Sequence, residues 1–244
     1  MKSRVLVVQH DDLSPLGAIG EHFTSDGITL EIMEPHRGDA FSSLVDFDIL
    51  ILLGGQMEVW QEQNHRWLVS EKAVIRHWVN DLDKPLLGIC LGHQLLADAL
   101  GGRVAKAKRG EAAVTNKQFT NAGVNHPLYA GFGKSKRAIS WHGSEVTMAP
   151  PRAIVLGNTT DCAVSCFAVG SAAFGVQYHV EATDWQTETW AATPVGAKHL
   201  VQLHGAEGVP LVQQAIADAK PELWKNSKKF YDNFMQLARK TLDR

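Results

Sequence analysis

The amino-acid sequence predicts an α/β fold: a mostly parallel central sheet flanked by helices, with a small antiparallel β layer and C-terminal helices. Three observations predict it. Up to Gly102, short and fully apolar runs alternate with stretches of helical periodicity, the pattern of βαβ units. Between Gly102 and Thr183, short β-like runs succeed one another, separated by Gly, Pro and Asn, with no long helical pattern. From Thr183 onward the periodicity is helical again. At 244 residues and 45% hydrophobic, the chain carries enough apolar material for one large core. The expected division is residues 1–184 as the main domain and 185–244 as a helical extension packed on it.

Taken in order, Arg4 to Val8 reads as a buried first strand, and Asp11 to Ser14 supplies loop and cap residues. Leu16 to Thr24 reads as a short helix weakened by Gly17 and Gly20. Ile28 to Ile32 alternates as a second strand, and Phe47 to Leu53 is an apolar third strand running into Gly54-Gly55. Trp67, Leu68, Val74, Ile75, Trp78 and Val79 make a helical stripe from His65 to Asn80. A fourth strand, Leu86 to Ile89, leads through Cys90 into a helix from Leu91 to Leu100. The β-like runs that follow are Ala112 to Phe119, Arg137 to Trp141, Glu145 to Met148, Ala153 to Leu156, Ala163 to Val169 and Ala172 to His179. The last helix, Pro221 to Lys240, presents Leu223, Trp224, Phe230, Tyr231, Phe234, Met235 and Leu237 as a face for docking on the core.

The bulk numbers exclude several function classes. A formal charge of −2 provides no long-range field for nucleic acid or an anionic membrane. Lys106-Lys108-Arg109 and Lys225-Lys228-Lys229 read as solvated faces. No stretch is apolar for long enough to serve as a signal-peptide core or to span a bilayer, and three cysteines make no disulfide framework, so a soluble cytoplasmic protein is expected. No metal or cofactor is expected: there is no H-E-x-x-H motif, and Cys162 and Cys166 lack zinc-site spacing. Gly131 to Ser135 ends like a phosphate-binding loop, but the required first glycine falls at Leu128. His65 and His77 read as surface polar residues.

The candidate chemistry centres on Gly88-Ile89-Cys90-Leu91-Gly92-His93-Gln94. A strand, a sharp turn and a helix with one nucleophile at the apex follow the logic of the nucleophile elbow, with cysteine in place of serine. By itself the motif is equally compatible with an inert core cysteine. A thiol needs a base, and Gly175-Val176-Gln177-Tyr178-His179-Val180-Glu181 offers one at the end of a β-like run. If that segment is extended, His179 and Glu181 project together and the carboxylate can orient the ring.

These two motifs resemble the signatures of class I, triad-type glutamine amidotransferases. Gly54-Gly55 falls where that family carries its oxyanion glycines, and Trp141-His142-Gly143-Ser144 is similar to its substrate loop, most like that of the glutaminase domain of GMP synthetase. The resemblance covers roughly Arg4 to Thr183 and implies a flavodoxin-like sheet. It implies Cys90, His179 and Glu181 as the catalytic residues and the backbone N–H groups of Gly55 and Leu91 as the oxyanion hole. Gly54, Gln94, Trp141, His142 and Gly143 are then the substrate-binding residues, although a structural role for His142 in its loop stands equally open. Two positions depart from the family: Gln56 and Val180 each stand where a proline is usual. Neither supplies a catalytic atom, but Gln56 bears on the tilt of the oxyanion loop.

The activity implied is hydrolysis of a γ-glutamyl amide, glutamine to glutamate and ammonia, through a Cys90 thioester. Three settings fit it. In the first, the chain is the glutaminase component of a pair whose synthetase is a separate subunit. In the second, it is a stand-alone hydrolase of γ-glutamyl amides or peptides. In the third, it is a non-catalytic binding module that keeps the fold. The intact Cys90, His179 and Glu181 argue against the third.

Overall fold

In the computed structural model, which describes residues 3–41 and 44–243, the first half of the chain forms β1 (Arg4–Val8), α1 (Gly17–Ser25), β2 (Thr29–Met33), β3 (Ile49–Leu52), α2 (Trp67–Asn80), β4 (Leu86–Ile89) and α3 (Leu91–Ala99). Next come β5 (Arg103–Phe119), the short α4 (Asn121–Asn125), β6 (Ser135–Met148), β7 (Ile154–Asn158), β8 (Cys166–Val169) and β9 (Ala173–Val176). The chain closes with α5 (Asp184–Ala192), α6 (Pro194–His204) and α7 (Gly208–Leu242). Residues 1, 2 and 244, the outer limits of the two expected segments, lie outside the described residues.

The strands lie in one sheet in the order β2-β1-β3-β4-β9-β8-β7-β5-β6. The first five are mutually parallel, in the flavodoxin-like order with β9 as the fifth strand. Apart from Arg4, every residue of β1, β3, β4 and β9 is buried, because helices cover both faces; this is why these strands read as continuous apolar runs. Edge strand β2 is mostly exposed. Alternate residues feed two cores. Val5, Val7, Ile49 and Ile51 pack with Phe23 of α1 and Phe230 and Phe234 of α7, while Leu6, Val8, Leu50 and Leu52 pack with Leu68, Ile75 and Trp78 of α2 and Leu95 of α3.

The antiparallel part is attached to the parallel one, as expected, and the attachment is edge to edge. Strands β8, β7, β5 and β6 continue the same sheet beyond β9. Strand texture does not encode a pairing partner, and β9, which follows the antiparallel runs in sequence, pairs parallel to β4. Strand β5 begins at Arg103, well before Ala112, because its charged first half pairs with β6 in spite of lacking apolar alternation. The two runs expected at Arg137–Trp141 and Glu145–Met148 are one strand, which passes through Gly143 without a break. Helix α7 likewise begins at Gly208 and contains Pro221, which the sequence placed at a helix start. Of its expected face, Phe230, Tyr231, Phe234 and Met235 are buried, whereas Trp224 is about half exposed. No helix among the described residues is long and apolar enough to cross a membrane.

Candidate active site

Apart from Trp141, His142 and Gly143, which lie in the antiparallel strand β6, the candidate residues follow the carboxyl ends of parallel strands, where open α/β sheets bind ligands. Strand β1 leads to His10, β3 to Gly54-Gly55, β4 to Cys90 and β9 to His179 and Glu181. Cys90 sits between β4 and α3 at φ 53°, ψ −103°, a conformation that costs a non-glycine residue energy and aims its side chain out of the turn. The flanking glycines allow the turn to close. A Cβ on Gly88 would stand 2.4 Å from the Gly92 carbonyl oxygen, and one on Gly92 would stand 2.2 Å from that of Leu52.

Strand β9 ends at Val176, and His179 makes a single bridge to Ile139 of β6, its N–H donating to the Ile139 carbonyl at 2.8 Å. The segment bends here and does not run on as a strand, so strand alternation is not what brings His179 and Glu181 together. They meet nonetheless: Nδ1 of His179 lies 2.6 Å from Oε1 of Glu181, with both side chains buried. Cys90 Sγ and His179 Nε2 both approach the Trp141 carbonyl oxygen, at 3.7 and 3.5 Å. Burial alone would lower the pKa of His179. The Glu181 carboxylate, with Cys90 on the other side of the ring, outweighs it and holds the imidazole well above its ordinary value.

Gly54 is the wedge between these groups; a Cβ there would lie 3.4 Å from His179 Cε1 and 3.7 Å from Cys90 Cβ. Its peptide is aimed by a residue that the motifs do not include. Nδ1 of the fully buried His10 contacts the Leu53 and Gly54 carbonyl oxygens at 3.0 and 3.1 Å, and Nε2 contacts Glu71 Oε1 at 2.9 Å. Burial works against a charge on His10, but the Glu71 carboxylate and these hydrogen bonds raise its pKa. Because a trans peptide points its C=O and N–H in opposite directions, holding the Gly54 carbonyl on His10 turns the Gly55 N–H the other way. The Gly55 and Leu91 amides have no acceptor among the described residues. Gln56 donates its N–H to Asp11 Oδ2 at 3.0 Å, an anchor that a proline at this position cannot make.

The Trp141–Ser144 stretch, expected as a loop, is the part of β6 that covers Cys90. It is held from beneath by a buried polar cluster. Glu111 accepts from Ser140 Oγ at 2.7 Å and Thr159 Oγ1 at 2.6 Å and lies 3.1 Å from His142 Nε2, with Lys117 Nζ at 3.4 Å. Both ring nitrogens of His142 are engaged, Nδ1 with the Ser144 carbonyl at 3.1 Å. Gln94 likewise spends its amide N–H groups on the Ser144 carbonyl, at 2.9 Å, and on Gln177 Oε1, at 3.0 Å, which ties α3 to β6.

A cavity of about 1060 Å³ opens over Cys90. Of the expected site residues, Gly55, Cys90, Leu91, Gln94, Trp141, His142, Gly143 and His179 line it, while Gly54 and Glu181 stand behind the lining. The C-terminal helices build its far wall. Trp190 of α5 packs on His179, ring centroids 4.6 Å apart, and donates from Nε1 to the Leu13 carbonyl at 2.8 Å. The sequence signal for this wall is local: Thr183 and Gln186 form a capping box at the start of α5, and Thr193-Pro194 starts α6. Nothing local marks Trp190, His10 or Glu111 as site residues. Elsewhere, Asp12, Glu34 and His36 bring ligand atoms within 4.8 Å of one another, but Arg37 bonds Asp12 at 2.6 Å and already meets much of that charge.

The family model for glutamine amidotransferase class-I matches residues 17–189. Over 190 residues the chain is 27% identical to the glutamine amidotransferase-like protein YfeJ of Salmonella typhimurium, covering 74% of this chain and 76% of that one. It is 31% identical over 156 residues to one subunit of the glutamine-hydrolysing GMP synthase of Saccharolobus solfataricus, covering 64% of this chain and 77% of that one. Among solved structures, a glutamine amido transferase from Methylobacillus flagellatus superposes with a TM-score of 0.84 at 21% identity, over 97% of this chain and 96% of that one. One from Thermotoga maritima gives 0.82 at 23%, over 96% and 98%. Coverage of that extent takes in the C-terminal helices, for which the sequence motifs have no counterpart.

Proposed function

The chain belongs to the class I glutamine amidotransferases, which are cysteine-dependent enzymes, and from that premise we propose that it hydrolyses the γ-amide bond of glutamine or another γ-glutamyl amide through a thioester on Cys90. One observation carries the reading: Cys90 at a left-handed elbow shares the Trp141 carbonyl with His179, whose other nitrogen is 2.6 Å from Glu181. In the proposed reaction Sγ attacks the γ-carbonyl carbon. The oxyanion is met by the N–H groups of Leu91 and Gly55, at the N-terminus of α3 and on the loop that His10 orients. His179 takes the thiol proton and passes it to the departing amine, and Glu181 stabilises the imidazolium between the two transfers. Water, deprotonated by His179, then cleaves the thioester to release a free γ-carboxylate and restore the thiol. Gln94, whose N–H groups are spent on Ser144 and Gln177, is left with its amide oxygen for substrate.

Two settings remain. The likeness to one subunit of a GMP synthase favours a separate synthetase partner that consumes the ammonia. The size of the cavity favours hydrolysis of larger γ-glutamyl compounds without one, since about 300–1000 Å³ already houses a drug-sized ligand. The test is glutamate release by the purified chain from glutamine and from a panel of γ-glutamyl peptides. We expect turnover that Cys90→Ala reduces by on the order of 10⁶-fold, as for other triad nucleophiles, with the fold retained. Turnover that survives in Cys90→Ala would remove the nucleophile assignment. Peptide turnover without a partner decides for the stand-alone setting, and its absence together with rescue by an added synthetase decides for the paired one.

A further inference from the structure

Resting on that hydrolase reading, we infer that the amine half of the substrate carries a carboxylate, so that the cleft is built for a γ-glutamyl amino acid or peptide and not for an uncharged γ-amide. The argument is one of charge balance on the cavity wall. Lys106, Lys108, Arg109 and Lys198 line the cavity, against one carboxylate, Glu58. Glu58 is already satisfied, by Lys106 Nζ and by Ser144 Oγ at 2.6 Å. Lys108, Arg109 and Lys198 have no carboxylate partner among the described residues; other exposed cations such as Arg66 and Lys225 lack one too, so what distinguishes these three is their place together on the cavity wall.

The fold presents these cations to the cleft. The β5–β6 register breaks between Lys106 and Glu111, so Lys108 and Arg109 leave the regular ladder just where the strand passes α6. Gly110 allows the approach: a Cβ there would lie 2.5 Å from the His142 carbonyl oxygen and 2.8 Å from His199 Nε2 of α6. That contact sets the two residues in the same wall as Lys198. The cluster that reads in sequence as a solvated face is indeed exposed, but it is exposed to the cleft.

A glutamyl group carries an ammonium and a carboxylate at its α-carbon, so glutamine is neutral and offers such a wall nothing net. A γ-glutamyl amino acid adds one negative charge on the leaving side. A cleft lined by one sign of charge focuses its field on a ligand of the opposite sign.

The experiment compares kcat/KM for γ-glutamylglycine and γ-glutamylglycinamide, which differ in that charge alone. We expect the acid to be preferred by about ten-fold or more, equivalent to about 1.4 kcal/mol. The preference should shrink in about 0.5 M salt and fall towards unity in the combined Lys108→Ala, Arg109→Ala, Lys198→Ala variant. The same ratio is read as binding of the two peptides to Cys90→Ala protein by calorimetry, so a failure of the hydrolase reading leaves it measurable. Equal handling of acid and amide by both readouts, or a preference that the triple variant keeps, would overturn the inference.

Discussion

Glu181 contacts His179 where both side chains are almost wholly buried, and this contact sets the sign of a pH effect. With the folded pKa of His179 raised, the folded state holds the proton more tightly than the unfolded chain does. The stabilisation is therefore fully present below the unfolded imidazole value of about 6.5, and it is lost as pH rises through the raised folded value. Glu181→Gln keeps the shape and a hydrogen bond but removes the charge. Urea unfolding of the parent and of Glu181→Gln should show the variant less stable at pH 6, with the gap narrowing at alkaline pH. A gap independent of pH would mean that the pair does not titrate as described. If the proposed route holds, catalysis should fall as well, because the His179 imidazolium that it requires loses its stabilising charge.

Among the elements, β6 is the one on which the site depends without supplying a reacting side chain. It offers the Trp141 carbonyl to both Cys90 and His179, and the Glu111 cluster fixes its height above the elbow. Lys117 belongs to that cluster, fully buried, its pKa lowered by burial although Glu111 opposes the shift. Removing one member of a buried pair strands the other, at a cost of about 3–5 kcal/mol, whereas replacing both with apolar groups of similar volume is often neutral. Glu111→Ala should lose stability of that order in urea titrations. Glu111→Leu combined with Lys117→Met should recover much of it while leaving turnover impaired, since Thr159 and His142 then lose the acceptor that fixes the strand. Full recovery of turnover in the double variant would mean that β6 needs no polar support. The same cluster marks where sequence reading stops. The parallel half was legible because strands covered on both faces must be apolar, and Cys90, His179 and Glu181 stood out as candidates because each sits in a local motif. Glu111, Lys117, Ser140 and Thr159 carry no such mark: a polar residue buried in a network has the same letter as one in water, and the network exists only after distant segments have paired. His10 with Glu71, and Trp190 against His179, escaped for the same reason.

For the whole molecule, the question is whether residues 185–244 are an attachment or part of the core. Phe230, Phe234 and Met235 of α7 share a cluster with Val5, Ile49, Ile51 and Phe174 of the central strands β1, β3 and β9. Arg137 of β6 is bound by Glu222 of α7, and Asn233 holds the Leu128 and Ala130 carbonyls at 3.0 Å. Helices α5 and α6 meanwhile form the far wall of the cavity, and Trp190 closes one side of His179. Removing them would uncover the part of the sheet face that α7 covers beside α1, and burying a single large apolar side chain is worth about 1.5–3 kcal/mol. Several such losses together are comparable with the roughly 5–15 kcal/mol by which domains of ordinary size are stable. We therefore expect the full chain to unfold in urea as one transition, with near-UV circular dichroism of the aromatic core and far-UV helicity falling together. We expect a chain ended at residue 184 to be recovered only as aggregate or molten material. A truncated chain that unfolds cooperatively, or two separated transitions in the full one, would make α5–α7 an independent unit and the cavity an interface between units. Coincident transitions would mean that site and fold are completed by the same helices, so that the wall bearing Lys198 cannot loosen without loss of the core beneath it.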